Sequence, residues 1–412
     1  MQLRNSIFRA LKSRNFRIYW LGMSASQIGN WVQQIAIGWV AYRLTESAGA
    51  LGLLSLCNNI GVLILAPFAG VWIDKLNKHK LIYYTQALFL LEALVLAVLS
   101  ATGSIQFWHL ITLSLIMSVV AAFDMPLRQT LVAELVNEKE LLSNAVALNS
   151  LSFNLSRIIG PAIGGYLLAN VSESACFILN AFSFLMIMFS LSCLRWPSLP
   201  KIPFTEKHNF WQNLRDGIQY AFLFVPIRSL LLTLCLSGLT LAPFSTLVPA
   251  IIRQLYDGDS IMAGNIYGGF GLGAIIAVGY LAYHQSAKGL EKTIFIAILS
   301  ASIALIVLSS THVYWVGLLL SPILGAGIIT NIVASNSLLQ ILVEDDKRGR
   351  VMSLFVMISV GVYPLGASGI GFISTYLGLY LTLIMAGGFG VLAAFIYCYY
   401  LPHLRTAISS ID

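Results

Sequence analysis

Glu92 and Arg157 each sit about twelve residues inside a long apolar stretch, "LIYYTQALFLLEALVLAVLSA" (81–101) and "AVALNSLSFNLSRIIGPAIGGYLLAN" (145–170). A carboxyl group at that depth can take up and release a proton. A guanidinium there is a fixed positive charge that needs an anion, a ring face or water. At 1.5 Å per residue, Arg157 lies about 18 Å into its stretch, too deep to reach an interface easily, so it should face a partner or a watery cavity. Glu92 at similar depth is one such partner. The alternatives for Glu92 are a protonated carboxyl at the lipid edge, or a role in proton coupling or substrate binding. No Ser/His/Asp set, metal-ligand spacing or phosphate-binding glycine loop accompanies them, which argues against an enzyme, a metal or other cofactor, and a self-contained ATP-driven pump. Cys57, Cys176, Cys193, Cys235 and Cys398 lie in apolar segments without paired spacing and read as small core residues.

The elements that must position these groups follow from hydropathy. The 412 residues are 58% hydrophobic and 10% charged, against about 25% charged in soluble proteins. That composition defines an all-α integral membrane protein. Apolar stretches long enough to span a bilayer run near 16–42, 48–73, 81–101, 107–124, 145–170 and 175–195, then 227–252, 261–283, 292–311, 313–334, 351–374 and 379–401. These are twelve transmembrane helices with both termini on one side. The N-terminus is basic and amphipathic without a cleavage-site pattern, so no cleaved signal peptide is expected. If it lies inside, 21 of the 24 Lys and Arg fall on that side, leaving Arg43 and Arg253 outside and Arg157 within a span. The positive-inside rule then places both termini in the cytoplasm of a cell (inner) membrane protein. The +7 net charge is a topology signal and calls for no nucleic-acid partner.

Residues 196–226 form the longest polar interval and divide residues 1–195 from 227–412, six spans each. Within it, Trp211, Leu214, Ile218 and Phe222 recur at helical spacing opposite Gln212 and Arg215, an amphipathic helix at the membrane face. The halves align weakly. Trp108 falls on Trp315, Asp124 on Asn331, Gly160 on Gly366 and Arg43 on Arg253. Two parallel six-helix repeats with a site between them are a transporter architecture.

Ser24, Gln27, Trp31, Gln34 and Gly38 trace one face of the first span, suited either to lining a cavity for a mixed polar and aromatic ligand or to interhelical hydrogen bonding. Asn149 and Asn154 in span 5, and Asn331 and Asn336 in span 10, carry the same two readings. His109 and His312 read as interfacial loop residues. In the loop after span 2, "GVWIDKLNKHK", Gly70 permits close helix approach and Asp74 stands four residues on. Lys75, Lys78 and Lys80 then crowd a short turn in which Asn77 suits a left-handed conformation. Asp124 and Arg128 lie one turn apart at the end of span 4, either as part of that charge cluster or as a local ion pair.

This loop resembles the signature of the major facilitator superfamily, Gly-x-x-x-Asp-Arg/Lys-x-Gly-Arg/Lys-Arg/Lys. Gly70, Asp74, Lys75 and Lys78 match it, while Asn77 and His79 depart. The resemblance implies that Asp74 latches the cytoplasmic side against the N-terminus of helix 11, an interaction worth about 0.3–1 kcal/mol or more when partly buried. Span 5 resembles the family's antiporter motif, Gly-x8-Gly-x3-Gly-Pro-x2-Gly-Gly. Gly160, Pro161, Gly164 and Gly165 match, with Ala147 and Ser156 replacing the first two glycines. Small residues there let helices touch along their backbones, and Pro161 removes a hydrogen bond and should bend the span. In the family this motif accompanies export. "FRALKSRNFRIYWLG", "GNWVQQIAIGWVAYRLT" and "AFDMPLRQTLVAELV" resemble the branch of enterobactin exporters and macrolide-type efflux proteins, the transmembrane secretion effectors. The family's Arg-x-x-Gln-Gly element in span 4 is missing.

The resemblance implies a monomeric secondary exporter of a siderophore or amphiphilic drug, exchanging it for protons, with Arg157, Glu92 and Asp124 as coupling groups. A nutrient symporter, or a membrane sensor or enzyme that transports nothing, are the competing classes. On the latch reading, Asp74→Asn should insert and accumulate normally yet export poorly. Export at the normal rate, measured beside membrane abundance, would remove the latch.

Overall fold

The computed structural model describes residues 8–73, 76–136, 139–196, 219–283, 286 and 288–409. Asp74 and Lys75 lie outside these residues, as do Trp211, Gln212, Leu214, Arg215 and Ile218 of the amphipathic-helix expectation. A 3-10 turn, Arg9–Lys12, precedes α1 (Arg14–Thr45), α2 (Ala48–Ile73), α3 (Lys78–Ala101), α4 (Phe107–Glu134), α5 (Lys139–Asn170) and α6 (Glu173–Ser192). Then come α7 (Val225–Thr240), α8 (Phe244–Leu255), α9 (Ser260–Tyr283), α10 (Leu290–Ser309), α11 (Tyr314–Leu342), α12 (Asp345–Leu377) and α13 (Leu379–Ser409).

Among the described residues, ten segments are long and apolar enough to cross a membrane, with Val225–Leu255 counting as one. Helices α1 and α5 are not among them, because the amides, hydroxyls and charges that mark them as functional also lower their hydropathy. Span 7, expected to be continuous, is broken at residues 241–243, since Pro243 has no N–H to continue the ladder. Turn bonds close the corner: Leu241 N and Ala242 N both donate to Ser237 O, at 2.9 and 3.1 Å.

Helix starts are set by local chemistry. Asn77 is extended (φ −75°, ψ 101°) and its side chain accepts from Lys80 N, so it is the N-cap of α3 and not the left-handed residue its place in the turn suggested. Ser172 caps α6 by accepting from Ala175 N. His109 belongs to the first turn of α4, where it closes a capping box with Gln106. Gly378 (φ +78°) alone separates α12 from α13.

The chain divides into two compact units: residues 1–45, 57–205 and 263–265, and residues 46–56, 206–262 and 266–412. In unit 1, α1 packs on α5 and α6, and α3 on α4 and α6. Close approach needs small residues: a Cβ at Gly22 would overlap Ser190, and one at Gly29 would stand 2.5 Å from Asn180 Oδ1. One end of this unit is tied by polar bonds, Ser13 Oγ to Leu135 O at 3.1 Å and Ala10 N to Asn144 Oδ1 at 2.9 Å. In unit 2, α10 packs on α11 and α13, and α7 on α11, α12 and α13. A Cβ at Gly366 would come within 2.5 Å of Leu239 O and 2.7 Å of Leu239 Cα. Outward faces carry large apolar side chains such as Leu91, Phe182, Phe189, Leu319 and Phe372, as lipid-facing surfaces require. Trp108 and Trp315 are exposed at the starts of α4 and α11, where interfacial aromatics belong. Cys398 is exposed on α13, unlike buried Cys57 and Cys176.

Gly366→Ala should destabilise by about 1–3 kcal/mol through overpacking. Gly369→Ala, less than a turn away with nothing within 4 Å, should be neutral. Melting of the two variants in detergent distinguishes them.

Candidate functional site

Three polar clusters lie along unit 1. The first joins α3 to α4. Arg128 forms an ion pair with Asp124 one turn earlier. Asp124 Oδ1 accepts from Thr85 Oγ1 at 2.8 Å and from Gln86 Nε2 at 2.7 Å, and Arg128 Nη2 donates to Gln86 Oε1 at 3.2 Å. Thr85, Gln86 and Asp124 are buried. The carboxylate is thus bonded to three side chains from two helices, which is more than a local i,i+4 pair. Nearby, Lys78 Nζ stands 3.7 Å from Glu134 Oε1, tying the start of α3 to the end of α4. Gly70 is in α2.

The second cluster surrounds Glu92. It is 6% exposed, so it is no lipid-edge residue. Gln33 Nε2 donates to its Oε2 at 2.8 Å, and Asn180 Nδ2 donates to Gln33 Oε1 at 2.8 Å. Ser183 Oγ donates to Asn180 Oδ1 at 2.9 Å. This chain links α3, α1 and α6, and it gives Glu92 an amide partner in place of the Arg157 pairing considered above.

The third centres on Arg157 in α5. Its guanidinium carbon stands 5.6 Å from the centroid of the Trp31 ring, and Trp31 is 6.4 Å from Phe153 at a tilt of 60°. One turn on, the small-residue motif packs on two helices. A Cβ at Gly160 would overlap Trp31 Cβ and reach 3.0 Å from Ile28 O; one at Gly164 would stand 3.4 Å from Val32 Cα. On the other side, a Cβ at Gly264 of α9 would lie 2.6 Å from Pro161 O and 3.3 Å from Gly165 Cα. Pro161 is accommodated inside the unbroken α5. Ser156, in a glycine position of the motif, is buried with its hydroxyl donating to Ser152 O at 2.8 Å, while Ala147 is exposed.

The remaining residues separate. Gln27 is buried and accepts from Ser152 Oγ at 3.0 Å, and Ser152 also donates to Ser24 at 2.6 Å. Gln34 is exposed and Asn149 half-buried. Asn154 donates to Ser150 O in its own helix at 2.8 Å. Asn331 is in unit 2, 1% exposed, donating to Ser237 Oγ at 2.6 Å, so it serves α11–α7 packing and faces no open space. Asn336 Oδ1 accepts from Gln340 at 2.9 Å. Gln33, Asn180, Thr85 and Gln86 were not singled out from sequence. The signal for Gln33 was present: Gly22, Ser26, Gly29, Gln33 and Ala36 form a buried, mostly small stripe at helical spacing. Among the described residues, no group of three or more His, Cys, Asp or Glu could hold a metal ion.

A bundle of this kind, with buried polar clusters and lipid-facing surfaces, has the fold of a major facilitator transporter. The family model for the transmembrane secretion effectors matches residues 5–410, and the chain belongs to that family. It is a multi-pass membrane transporter and not an enzyme. It is 25% identical to the staphyloferrin A transporter of Staphylococcus aureus (strain NCTC 8325 / PS 47) over 87% of this chain and 89% of that one. It is 22% identical to macrolide efflux protein A of Streptococcus pyogenes, over 85% of this chain and 87% of that one. Among solved structures, a bacterial homologue of the iron transporter ferroportin superposes with a TM-score of 0.75 at 16% identity, covering 94% of this chain and 98% of that one.

Two expectations about stability follow. Asp124→Ala leaves Arg128 without its carboxylate and should cost about 3–5 kcal/mol, and Asp124→Ala with Arg128→Met should recover most of it in a melting assay. At Gly160, even Ala should destabilise, because the first atom met is Trp31 Cβ, which cannot swing aside. Gly164→Ala should be mild.

Proposed function

We propose that the chain is a monomeric secondary exporter in the cell (inner) membrane, with both termini cytoplasmic. It moves a siderophore-like or drug-like amphiphile outward in exchange for protons by alternating access between its two six-helix halves, residues 1–195 and 227–412, joined by 196–226. The observation that carries this reading is the match to the secretion effector family over nearly the whole chain. Relatives named as siderophore and macrolide transporters support the substrate class. Glu92 is the proton carrier of the proposal: a carboxyl group in the membrane, hydrogen-bonded by an amide that can serve either protonation state. Asp124 is the less suited of the two acids, because Arg128 compensates its charge. Gly160, Pro161, Gly164 and Gly165 supply the small-residue packing that the conformational change needs on this reading, and Gly70, Asp74, Lys75, Lys78, Asp124 and Arg128 form the latch region.

Inside-out vesicles given an inward-acid proton gradient test this. Wild type should load substrate, and Glu92→Gln should lose gradient-driven loading while retaining substrate exchange without a gradient. Loading driven equally well by Glu92→Gln would remove the carboxyl group from coupling. Gradient-driven movement in the opposite direction would indicate uptake.

A further inference from the structure

Several cations at the helix ends are matched by carboxylates. Arg43 has Glu173, Lys78 has Glu134, Lys347 has Glu344 and Arg405 has Glu291. Arg228, in the first turn of α7, has none among the described residues. It is half-buried, and its guanidinium carbon stands 5.8 Å from the centroid of the Tyr400 ring of α13. Its Nη1 donates to Phe222 O at 3.4 Å. That long bond occupies one of the five N–H donors of a guanidinium.

Residues 219–223 are helical and lead into α7. There Tyr220 stacks on Phe224, with centroids 6.4 Å apart, and Lys347 Nζ of α12 stands 4.6 Å from the Tyr220 centroid. Tyr220 and Tyr400 are half-buried. The contacts of both are ring contacts, with aromatic neighbours and with cations, which leaves their hydroxyls as donors. Phe222, Leu223 and Tyr399 are exposed beside them, where the apolar span Val225–Leu255 begins. Donors that suit a phosphate thus adjoin apolar side chains at the end of a span, the level at which a phospholipid headgroup meets its acyl chains. A soluble anion would make no use of the apolar side chains. A choline headgroup would bring a cation against Arg228.

We propose that Arg228, Tyr220 and Tyr400 bind the phosphate of an anionic phospholipid, whose acyl chains lie against Phe222, Leu223 and Tyr399. The site belongs wholly to unit 2 and does not depend on what the chain transports.

The test is lipid binding to the full chain in detergent, read by native mass spectrometry against added dioleoylphosphatidylglycerol or dioleoylphosphatidylcholine. Wild type should bind the phosphatidylglycerol on the order of tenfold tighter, as one charge-assisted hydrogen bond allows. Arg228→Gln should remove most of that preference. Lys292→Gln, which removes the same charge from an exposed position at the start of α10, should leave it unchanged. An equal loss in both variants would show a diffuse attraction and overturn the site. Equal binding of the two lipids by wild type, or an undiminished preference in Arg228→Gln, also overturns it. Glycerol 1-phosphate at the same concentration should not displace the lipid, and displacement would replace the lipid with a soluble phosphate. If Arg228→Gln does not fold, as judged by melting, Tyr220→Phe with Tyr400→Phe keeps both rings and removes both hydroxyls. An undiminished preference in that variant overturns the proposal.

Discussion

Glu92 is a buried carboxyl group in a membrane-spanning helix, and that constraint organises unit 1. In a medium that offers no hydrogen bonds, every buried polar atom must find its partner within the protein. The partner of Glu92 is Gln33, whose other end is taken by Asn180, so one carboxyl group fixes the relative rotation of α3, α1 and α6. The Asp124 cluster does the same for α3 and α4. Along α3 the polar positions recur at Thr85, Gln86, Glu92 and Ser100, the last donating to Glu173 at 3.4 Å. Glu173 in turn takes Arg43 through both oxygens, at 2.6 and 2.9 Å. A polar seam thus runs the length of a helix whose other faces are apolar.

Small residues supply what polar pairs cannot. Lipid is as apolar as leucine, so association in the bilayer depends on close packing and hydrogen bonds more than on hydrophobicity. The packing is repeated: Gly160 meets α1 through Trp31 and Ile28, and Gly366, its counterpart in the sequence alignment, meets α7 through Leu239 and Gly238. Asp124 and its counterpart Asn331 diverge in the same frame. One is an acid bonded to α3 and the other an amide bonded to Ser237 of α7. The two units share backbone packing and differ in charge at this aligned pair.

The spans were legible because hydropathy over about 20 residues is a strong signal, and Gly160, Pro161, Gly164 and Gly165 were legible because their spacing is specific. What escaped was whatever depends on which side of a helix faces inward. In α1, Gln34 and Gln33 are equally plausible from composition, yet the first is exposed and the second holds Glu92. Only the small residues a turn away from Gln33 tell them apart. Asn77 was misjudged because a short turn and a helix cap draw on the same residue types. The break in span 7 was marked by Pro243, but an apolar run masks such a corner when every free N–H can be satisfied by a turn.

That broken span has a bearing on how the chain is built. Leu247, Val248, Ala250, Ile251 and Ile252 of α8 are all 0% exposed, so this half-helix presents almost no surface to lipid. Its neighbours include α12 and α13, and Tyr256, just past its end, donates to Leu308 O of α10 at 2.9 Å. All three of those helices are synthesised later. A segment that emerges before the surroundings it is shaped for must wait in the membrane, or at the insertion machinery, until they arrive. Folding of unit 2 therefore cannot finish in the order of synthesis, because this half-helix is seated by helices made after it.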